Sequence, residues 1–389
     1  MYEKLKELTK DTAVYGISTI LSRFLNFMLV PFYTNVFLEG DYGIVSNVYA
    51  YIAFFNVVYL YGMDAAFMKY ASLSDKTSKN DNYSTSFYSV LFTSTIFSLV
   101  IYSSRYTFGS WMSVPAEMNS IILYTILILF FDALTVIPFA HLRLIRKAKM
   151  FALLKTVNIS LNVAFNLILI LVYHYGIEAV FISNLAASFL TFVFLIPEIF
   201  RNLKFKINLE ALRRMLKFGI PYLPAGLASM TMQVIDRPIL EAITDLRTVG
   251  VYQANYKLGI FMMLFVSMFQ YAWQPFFLNN AREKNAKEIF SKTLTYFVLA
   301  GMFIFAALSL FIPDLVHIEF HGKALIGKNY WDGLNIVPVI LMAYLFNGIY
   351  VNLQAGIFIE EKSKYIPLVT GAGALANVFS NYLLIPKLG

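Results

Sequence analysis

The sequence predicts an all-α integral membrane protein, and three observations lead to this fold class. The 389 residues are 59% hydrophobic and only 14% charged, whereas soluble domains usually carry about 25% charged residues. The apolar residues form long runs that are separated by short polar breaks. The formal net charge is +8, but the cations are clustered between apolar runs and not gathered on one soluble face, so we expect no nucleic-acid partner.

Eleven stretches are long enough to cross a bilayer, which requires about 20 mainly apolar residues. The polar start at residues 1–10 and the long run after it do not fit a cleavable signal peptide, so we expect the first span to be an anchor. No connection is long enough to form a soluble domain with an active site. From the N-terminus onwards, the predicted spans are 12–37, 42–68, 83–104, 118–140, 150–172, 178–200, 216–240, 249–278, 291–312, 333–358 and 365–386.

The distribution of the cations predicts the orientation of these spans. Of the 31 lysines and arginines, 22 lie in the N-terminal segment and the even-numbered connections, and 5 lie on the opposite side. Positively charged flanks stay on the cytoplasmic side of a membrane. The N-terminus is therefore predicted to be cytoplasmic.

The chain contains an internal repeat. A shift of 207 aligns residues 3–67 with the second half without a gap, and Gly43 falls on Gly250. A shift of 215 aligns Asn162 and Asn166 with Asn377 and Asn381. Because the second copy enters from the same side after six spans, the copies are predicted to be parallel repeats.

The repeat predicts the domain organisation. We expect an N-terminal lobe of six spans at residues 1–207 and a C-terminal lobe of five spans at residues 208–389. The second copy stops before the counterpart of the sixth span, so the sequence favours a truncated chain whose full length has twelve or more spans.

The residue types exclude several kinds of chemistry. The absence of cysteine excludes disulfides, iron–sulfur clusters and thiolate zinc sites. The His317-x-Glu319-x-His321 segment lacks the order of a zincin motif, and the sequence contains no Walker motif. We expect neither a metal nor a cofactor.

Ionisable residues inside the spans are the first candidates for a functional site, because charge in a bilayer is costly and normally faces a cavity or a partner. Four of the six are cations, and a cationic cavity attracts an anionic substrate such as a phosphate or an acidic sugar. Asp132 and Asp236 are candidates for ion coupling, although structural pairing is the simpler interpretation of Asp236. The six residues are Arg23, Asp132, Lys155, Asp236, Arg237 and Lys257.

Asparagines extend two of these positions into polar stripes. Asn26 follows Arg23 on the first span, and Asn158, Asn162 and Asn166 share one helical face with Lys155. Each amide both donates and accepts hydrogen bonds, which suits sugar hydroxyls. Structural bonding between helices explains the asparagines equally well.

Several motifs resemble one transporter family over essentially the whole chain. The chain is similar to the polysaccharide-transporter branch of the MOP flippase superfamily, which includes the Wzx-type O-antigen and capsule flippases. The motifs are Phe37-x-x-x-Asp41-Tyr42-Gly43, Val234-Ile235-Asp236-Arg237-Pro238-x-Leu240 and Val249-Gly250-Val251-Tyr252-x-x-Asn255-Tyr256.

The resemblance implies a MATE-like fold of two pseudo-symmetric helical lobes in the bacterial cytoplasmic membrane. It also implies alternating-access transport of an undecaprenyl-diphosphate-linked oligosaccharide, without catalysis. The expected partners are this substrate, membrane lipids and glycan-assembly enzymes of the same pathway. A MATE-like multidrug antiporter is the alternative, although its cationic cargo requires a carboxylate-rich cavity. A third hypothesis is a membrane-embedded glycan polymerase or acyltransferase, but no group of catalytic residues near one interface supports it.

Overall fold

A computed structural model shows an almost entirely helical chain. Among the described residues, β1 (Glu319–Phe320) and β2 (Lys323–Ala324) pair as an antiparallel hairpin. The residues described are 16, 20–21, 23–73, 76–281, 283–320, 322–360, 362 and 365–388.

The helices follow the predicted apolar stretches closely. In the first half they are α1 (23–34), α2 (Glu39–Leu60), α3 (Met63–Ser72), α4 (Lys76–Ser103), α5 (Arg105–Trp111), α6 (Ser120–Leu144), α7 (Ala148–Leu171) and α8 (Glu178–Asn202). In the second half they are α9 (Leu209–Gly219), α10 (Tyr222–Val234), α11 (Asp236–Ile243), α12 (Leu246–Tyr256), α13 (Ile260–Asn280), α14 (Ala286–His317), α15 (Val337–Ile359) and α16 (Tyr365–Leu388). Short 3-10 helices precede α6, α13 and α15.

Nine helical segments among the described residues are long and apolar enough to cross a membrane, which confirms the predicted class. Eleven spans were predicted, and the other two stretches differ for separate reasons. Much of 12–37 lies outside the described residues. The 216–240 stretch is divided, because α10 ends at Val234 and α11 begins at Asp236.

The predicted span 42–68 also divides into two helices. Tyr61 and Gly62 have φ values of 36° and 75°, which separate α2 from α3. A glycine adopts such a left-handed conformation without steric cost. A Cβ at Gly62 would also overlap the backbone oxygen of Gly219 at the end of α9. The break therefore allows α9 to approach the α2–α3 junction closely.

The described helices form two compact packing units. The first contains the described residues within 16–25, 44–245 and 370–388. Within it, α6 packs against α4 and α8, and α7 packs against α8. Its interior is apolar and aromatic, with Phe67, Phe181 and Leu129 almost fully buried. This burial fixes the spacing of the helices that carry the polar residues of the candidate site.

The second unit contains residues 26–43 and 246–369. Its interior includes two buried clusters, the first of Trp273, Phe277, Val351 and Ala355, and the second of Val266, Phe297 and Leu345. These clusters join α13 to α15 and α14.

Two glycines allow α2 and α12 to touch through their backbones. A Cβ at Gly43 would overlap the carbonyl oxygen of Leu246, and a Cβ at Gly250 would overlap that of Glu39. Both glycines and both carbonyl residues are related by the shift of 207. The contact is therefore reciprocal between equivalent positions of the two sequence copies.

Equivalent residues near the end of the first predicted span of each copy form hydrogen bonds with the other sequence copy. In the second unit, Thr34 Oγ1 accepts a hydrogen bond from the Gly327 amide at 3.1 Å, and Asn35 donates to the Ala324 carbonyl at 2.8 Å. In the first unit, Ser113 donates to Glu241 on α11 at 2.6 Å. Thr34 and Glu241 are also 207 positions apart.

Candidate functional site

A polar cavity of about 420 Å³ lies within the first packing unit. It is formed mainly by α6, α7 and α8. Three residues proposed from the sequence, Asp132, Lys155 and Asn158, come together in its wall. The complete lining is Asn56, Leu60, Asp132, Thr135, Val136, Phe139, Arg143, Phe151, Lys155, Asn158, Asn184, Ser188 and Thr191.

Opposite charges line this cavity. Asp132 on α6 interacts with the Ser188 hydroxyl and electrostatically with the Lys155 ammonium. Lys155 Nζ lies 4.4 Å from the centre of the Phe139 ring, a cation–π distance. Arg143 adds a second cation to the lining. The cavity therefore carries more positive than negative charge.

Amide and hydroxyl groups form the rest of the polar wall. Asn158 on α7 donates to Thr191 on α8 at 2.8 Å, and Thr191 donates to the Ala187 carbonyl at 2.7 Å. Asn184 donates to the Tyr49 hydroxyl at 2.9 Å. These bonds fix the orientation of the side chains.

The sequence analysis did not identify the residues that α8 contributes. Asn184, Ser188 and Thr191 follow the spacing i, i+4, i+7 and so lie on one helical face. They are neutral residues in a strongly apolar segment, so charge does not mark them. A search for polar residues at helical spacing inside each span would have identified them.

Asn162 and Asn166 lie on the same helix as Lys155 but are not among the cavity lining. Asn166 is fully buried and donates to the backbone carbonyl of Asn162 at 2.9 Å and to its side-chain oxygen at 3.0 Å. The corresponding pair on α16 is the same, since Asn381 donates to the two oxygens of Asn377 at 3.0 and 3.1 Å. Of the three asparagines predicted to share a helical face with Lys155, only Asn158 lines the cavity beside it.

The remaining predicted residues occupy separate places in the described structure. Arg237 is buried, donates to the Gln233 carbonyl at 3.2 Å and lies 3.8 Å from Asp236. Arg23 and Asn26 are exposed. Lys257 is half-buried in a 3-10 turn between α12 and α13.

The cavity offers binding groups for a charged, hydroxylated ligand. Lys155 and Arg143 supply cationic donors, and the amides and hydroxyls supply neutral hydrogen bonds. Among the described residues, no group of three or more His, Asp or Glu side chains is arranged to hold a metal ion.

Comparison with known proteins identifies the family. Residues 38–323 match the family model described as "Polysaccharide biosynthesis protein". A protein of the Lsg locus of Haemophilus influenzae is 22% identical over 395 residues, which cover 98% of this chain and 94% of that protein.

Solved structures of transporters share the fold. The lipid II flippase MurJ in an inward closed conformation has a TM-score of 0.79 and 17% identity, over 97% of this chain and 82% of MurJ. An inward-facing MATE multidrug transporter of the MOP superfamily has a TM-score of 0.64 and 13% identity, over 94% of each chain. These findings confirm the fold expected from the motifs: the chain belongs to the polysaccharide biosynthesis protein family and has the fold of the MOP superfamily.

Proposed function

We propose that the protein is a flippase for an undecaprenyl-diphosphate-linked oligosaccharide, such as a repeat unit of O-antigen, capsule or exopolysaccharide. The polar cavity beside Lys155 is the observation that carries this proposal, because it lies within helices long enough to cross a membrane. The family match to polysaccharide biosynthesis supports a glycan-related role. The fold shared with a lipid II flippase supports a lipid-linked cargo.

The cavity residues have complementary roles in this mechanism. Lys155 and Arg143 bind the diphosphate or acidic sugars through charge-assisted hydrogen bonds. Asn158, Asn184 and Thr191 replace the water that the sugar hydroxyls lose. The polyprenyl tail remains in the lipid, and alternating access moves the head group without making or breaking a covalent bond.

The other predicted residues keep subsidiary parts in the proposal. Arg23, Asn26 and Lys257 do not line the cavity, and the proposal keeps each of them as a further candidate for contact with the cargo. We assign Arg237 a structural role, because its guanidinium contacts the Gln233 carbonyl in a buried setting. We likewise assign Asn162 and Asn166 a structural role, because they hydrogen-bond to each other within the helix that carries Lys155.

An ion gradient supplies the energy for transport in this proposal. Asp132 is the favoured coupling site, since it is a carboxylate inside a membrane-spanning helix and faces Lys155. Asp236 is the second candidate. Asp132→Asn should uncouple transport from the gradient, whereas transport by the wild type that persists after all cation gradients and the membrane potential are collapsed would exclude coupling.

The proposed location is the cytoplasmic membrane of a bacterium, with the N-terminus in the cytoplasm. The 22 cations on one side and 5 on the other support this orientation. Glycan-assembly enzymes on the cytoplasmic side are the partners that fit such a cargo.

Flipping of a lipid-diphosphate-linked oligosaccharide in proteoliposomes tests the proposal. Wild type should transport the lipid, and Lys155→Ala should lower the rate about tenfold or more because a charge-assisted interaction contributes about 1.5–3 kcal/mol. Lys149→Ala is the matched control, because Lys149 is exposed on the same helix and does not line the cavity. Equal rates for both variants would refute the role of Lys155.

The same preparation distinguishes a MATE-like antiporter, which the shared fold and the carboxylate of Asp132 favour as the second candidate. An antiporter for organic cations should export a cationic dye and lose this activity in Asp132→Asn. Dye export without any flipping of lipid-linked glycans would replace the flippase proposal.

A further inference from the structure

The helix α9 carries an exposed groove that combines cations with apolar side chains. The groove has a volume of about 410 Å³ and is lined by Leu209, Leu212, Arg213, Leu216, Lys217 and Ile220. Arg213 and Lys217 are exposed, as is the neighbouring Arg214. None of these three cations forms an ion pair with any residue in the described part of the chain.

The opposite face of α9 is fixed to the protein. Ala211, Met215 and Gly219 are buried, and Ser86 contacts the Met215 sulfur at 3.2 Å. At the C-terminal end, Gly219 lies against the backbone of Gly62. The exposed face therefore stays exposed, because the helix cannot turn it inward without losing this packing.

The segment before α9 is also fixed by specific bonds. Asn208 caps the helix through its side-chain oxygen and the Ala211 amide at 3.0 Å, and its own amide donates to Thr85 at 3.1 Å. Lys204 forms an ion pair with Asp81 at 2.8 Å. The groove is thus held in place at both ends.

Large apolar side chains at and just before the start of α9 are exposed. Leu209 is 74% exposed and Phe205 is 94% exposed. Such side chains beside exposed cations are typical of a helix that lies in the headgroup region of a bilayer. If this surface were surrounded by water alone, its apolar side chains would remain unburied.

We propose that the α9 groove is a binding site for an anionic phospholipid. Arg213 and Lys217, with Arg214 beside them, bind the phosphate of the headgroup, and the leucines and Ile220 contact the first part of an acyl chain. Charge complementarity selects an anionic over a zwitterionic lipid. The proposal is independent of the transported cargo, since lipid retention is measured without transport.

Native mass spectrometry of the purified protein with phosphatidylglycerol or phosphatidylcholine tests this site. Wild type should retain phosphatidylglycerol in preference to phosphatidylcholine. The variant Arg213→Gln/Arg214→Gln/Lys217→Gln should bind phosphatidylglycerol about a hundredfold more weakly, because each cation near an anionic surface contributes roughly fivefold. The control Lys149→Gln/Lys284→Gln/Lys287→Gln removes three exposed cations elsewhere and should retain the lipid.

Two further measurements test the apolar contacts and identify the source of the bound phosphate. Leu209→Ser/Ile220→Ser keeps every charge and should still weaken retention, since the acyl contacts are lost. Equal retention by the triple variant and the wild type would overturn the proposal. Displacement of phosphatidylglycerol by inorganic phosphate would assign the groove to a free anion, and stoichiometric displacement by undecaprenyl diphosphate would assign it to the cargo, so either would also overturn it.

Discussion

The helices α7 and α16 occupy equivalent places in the two sequence copies, yet they carry different residues at the cavity positions. The asparagine pairs 162/166 and 377/381 make the same hydrogen bonds in both helices. Under the same shift of 215, however, Lys155 corresponds to Thr370 and Asn158 to Gly373. The shared asparagines hydrogen-bond within each helix, and the cation and the amide that line the cavity are specific to the first copy.

The glycine contact between α2 and α12 involves positions at which the two sequence copies agree. Gly43 and Gly250 are equivalent, and each lies against the backbone of the other copy's helix. We conclude that positions where the copies agree maintain the architecture. Positions where they differ are the ones expected to bind the cargo.

The largest expected effect is a loss of stability when a side chain is introduced at either of the shared glycine positions. Gly43→Leu and Gly250→Leu should each destabilise the protein by about 3 kcal/mol or more, since a side chain there overlaps a rigid backbone oxygen. Thermal unfolding in detergent measures the change. Gly40→Leu is the control, because no atom lies within 4 Å of a Cβ at that position. Loss of stability in only one of the two variants would show that the two glycine positions are not equivalent.

The next effect concerns the residue that differs between the copies. Lys155→Thr introduces the residue of the second copy and should lower glycan-lipid flipping about tenfold to a hundredfold, by loss of one charged hydrogen-bonding group. The folded yield should remain close to wild type, because Lys155 is exposed to the cavity. Thr370→Lys should not restore transport to this variant, and restoration would show that the two copies are interchangeable.

The smallest effect concerns the shared asparagines. Asn166→Ala should lower the free energy of unfolding by about 1 kcal/mol, and Asn381→Ala by somewhat less because Asn381 is only half-buried. Thermal unfolding again provides the measurement. Transport per folded molecule should be unchanged in both, and a selective loss in Asn166→Ala would make that asparagine a cargo ligand.

Most of the fold followed from the sequence, because a bilayer forces long apolar stretches into helices. The nine segments found among the described residues lie where nine of the stretches were predicted. The break at Gly62 was not predicted, since local backbone geometry and a neighbouring helix determine it. The break at Ile235 fits the kink expected from Pro238, which has no amide to donate to the Val234 carbonyl. Gly62 in particular is explained by the approach of Gly219, which is 157 positions away in the chain.

The candidate site was predicted in part. Asp132, Lys155 and Asn158 were selected for their charge or spacing, and the structure brings them to one cavity. Asn162 and Asn166 do not line this cavity, because a shared helical face does not determine which neighbouring helix covers each turn. The α8 wall was missed for the same reason, since Ser188 and Thr191 become informative only beside Asp132 and Asn158.

The contacts of Thr34 with Gly327 and of Glu241 with Ser113 bear on how the chain arose. In each, a residue near the end of the first predicted span of one sequence copy contacts a loop of the other copy inside one packing unit, so each unit contains residues of both copies. A half-length chain with the same contacts would have to exchange this helix with a second molecule, as in a domain-swapped dimer. Fusion of two such genes would have converted an encounter between molecules into an intramolecular contact that forms at any protein concentration.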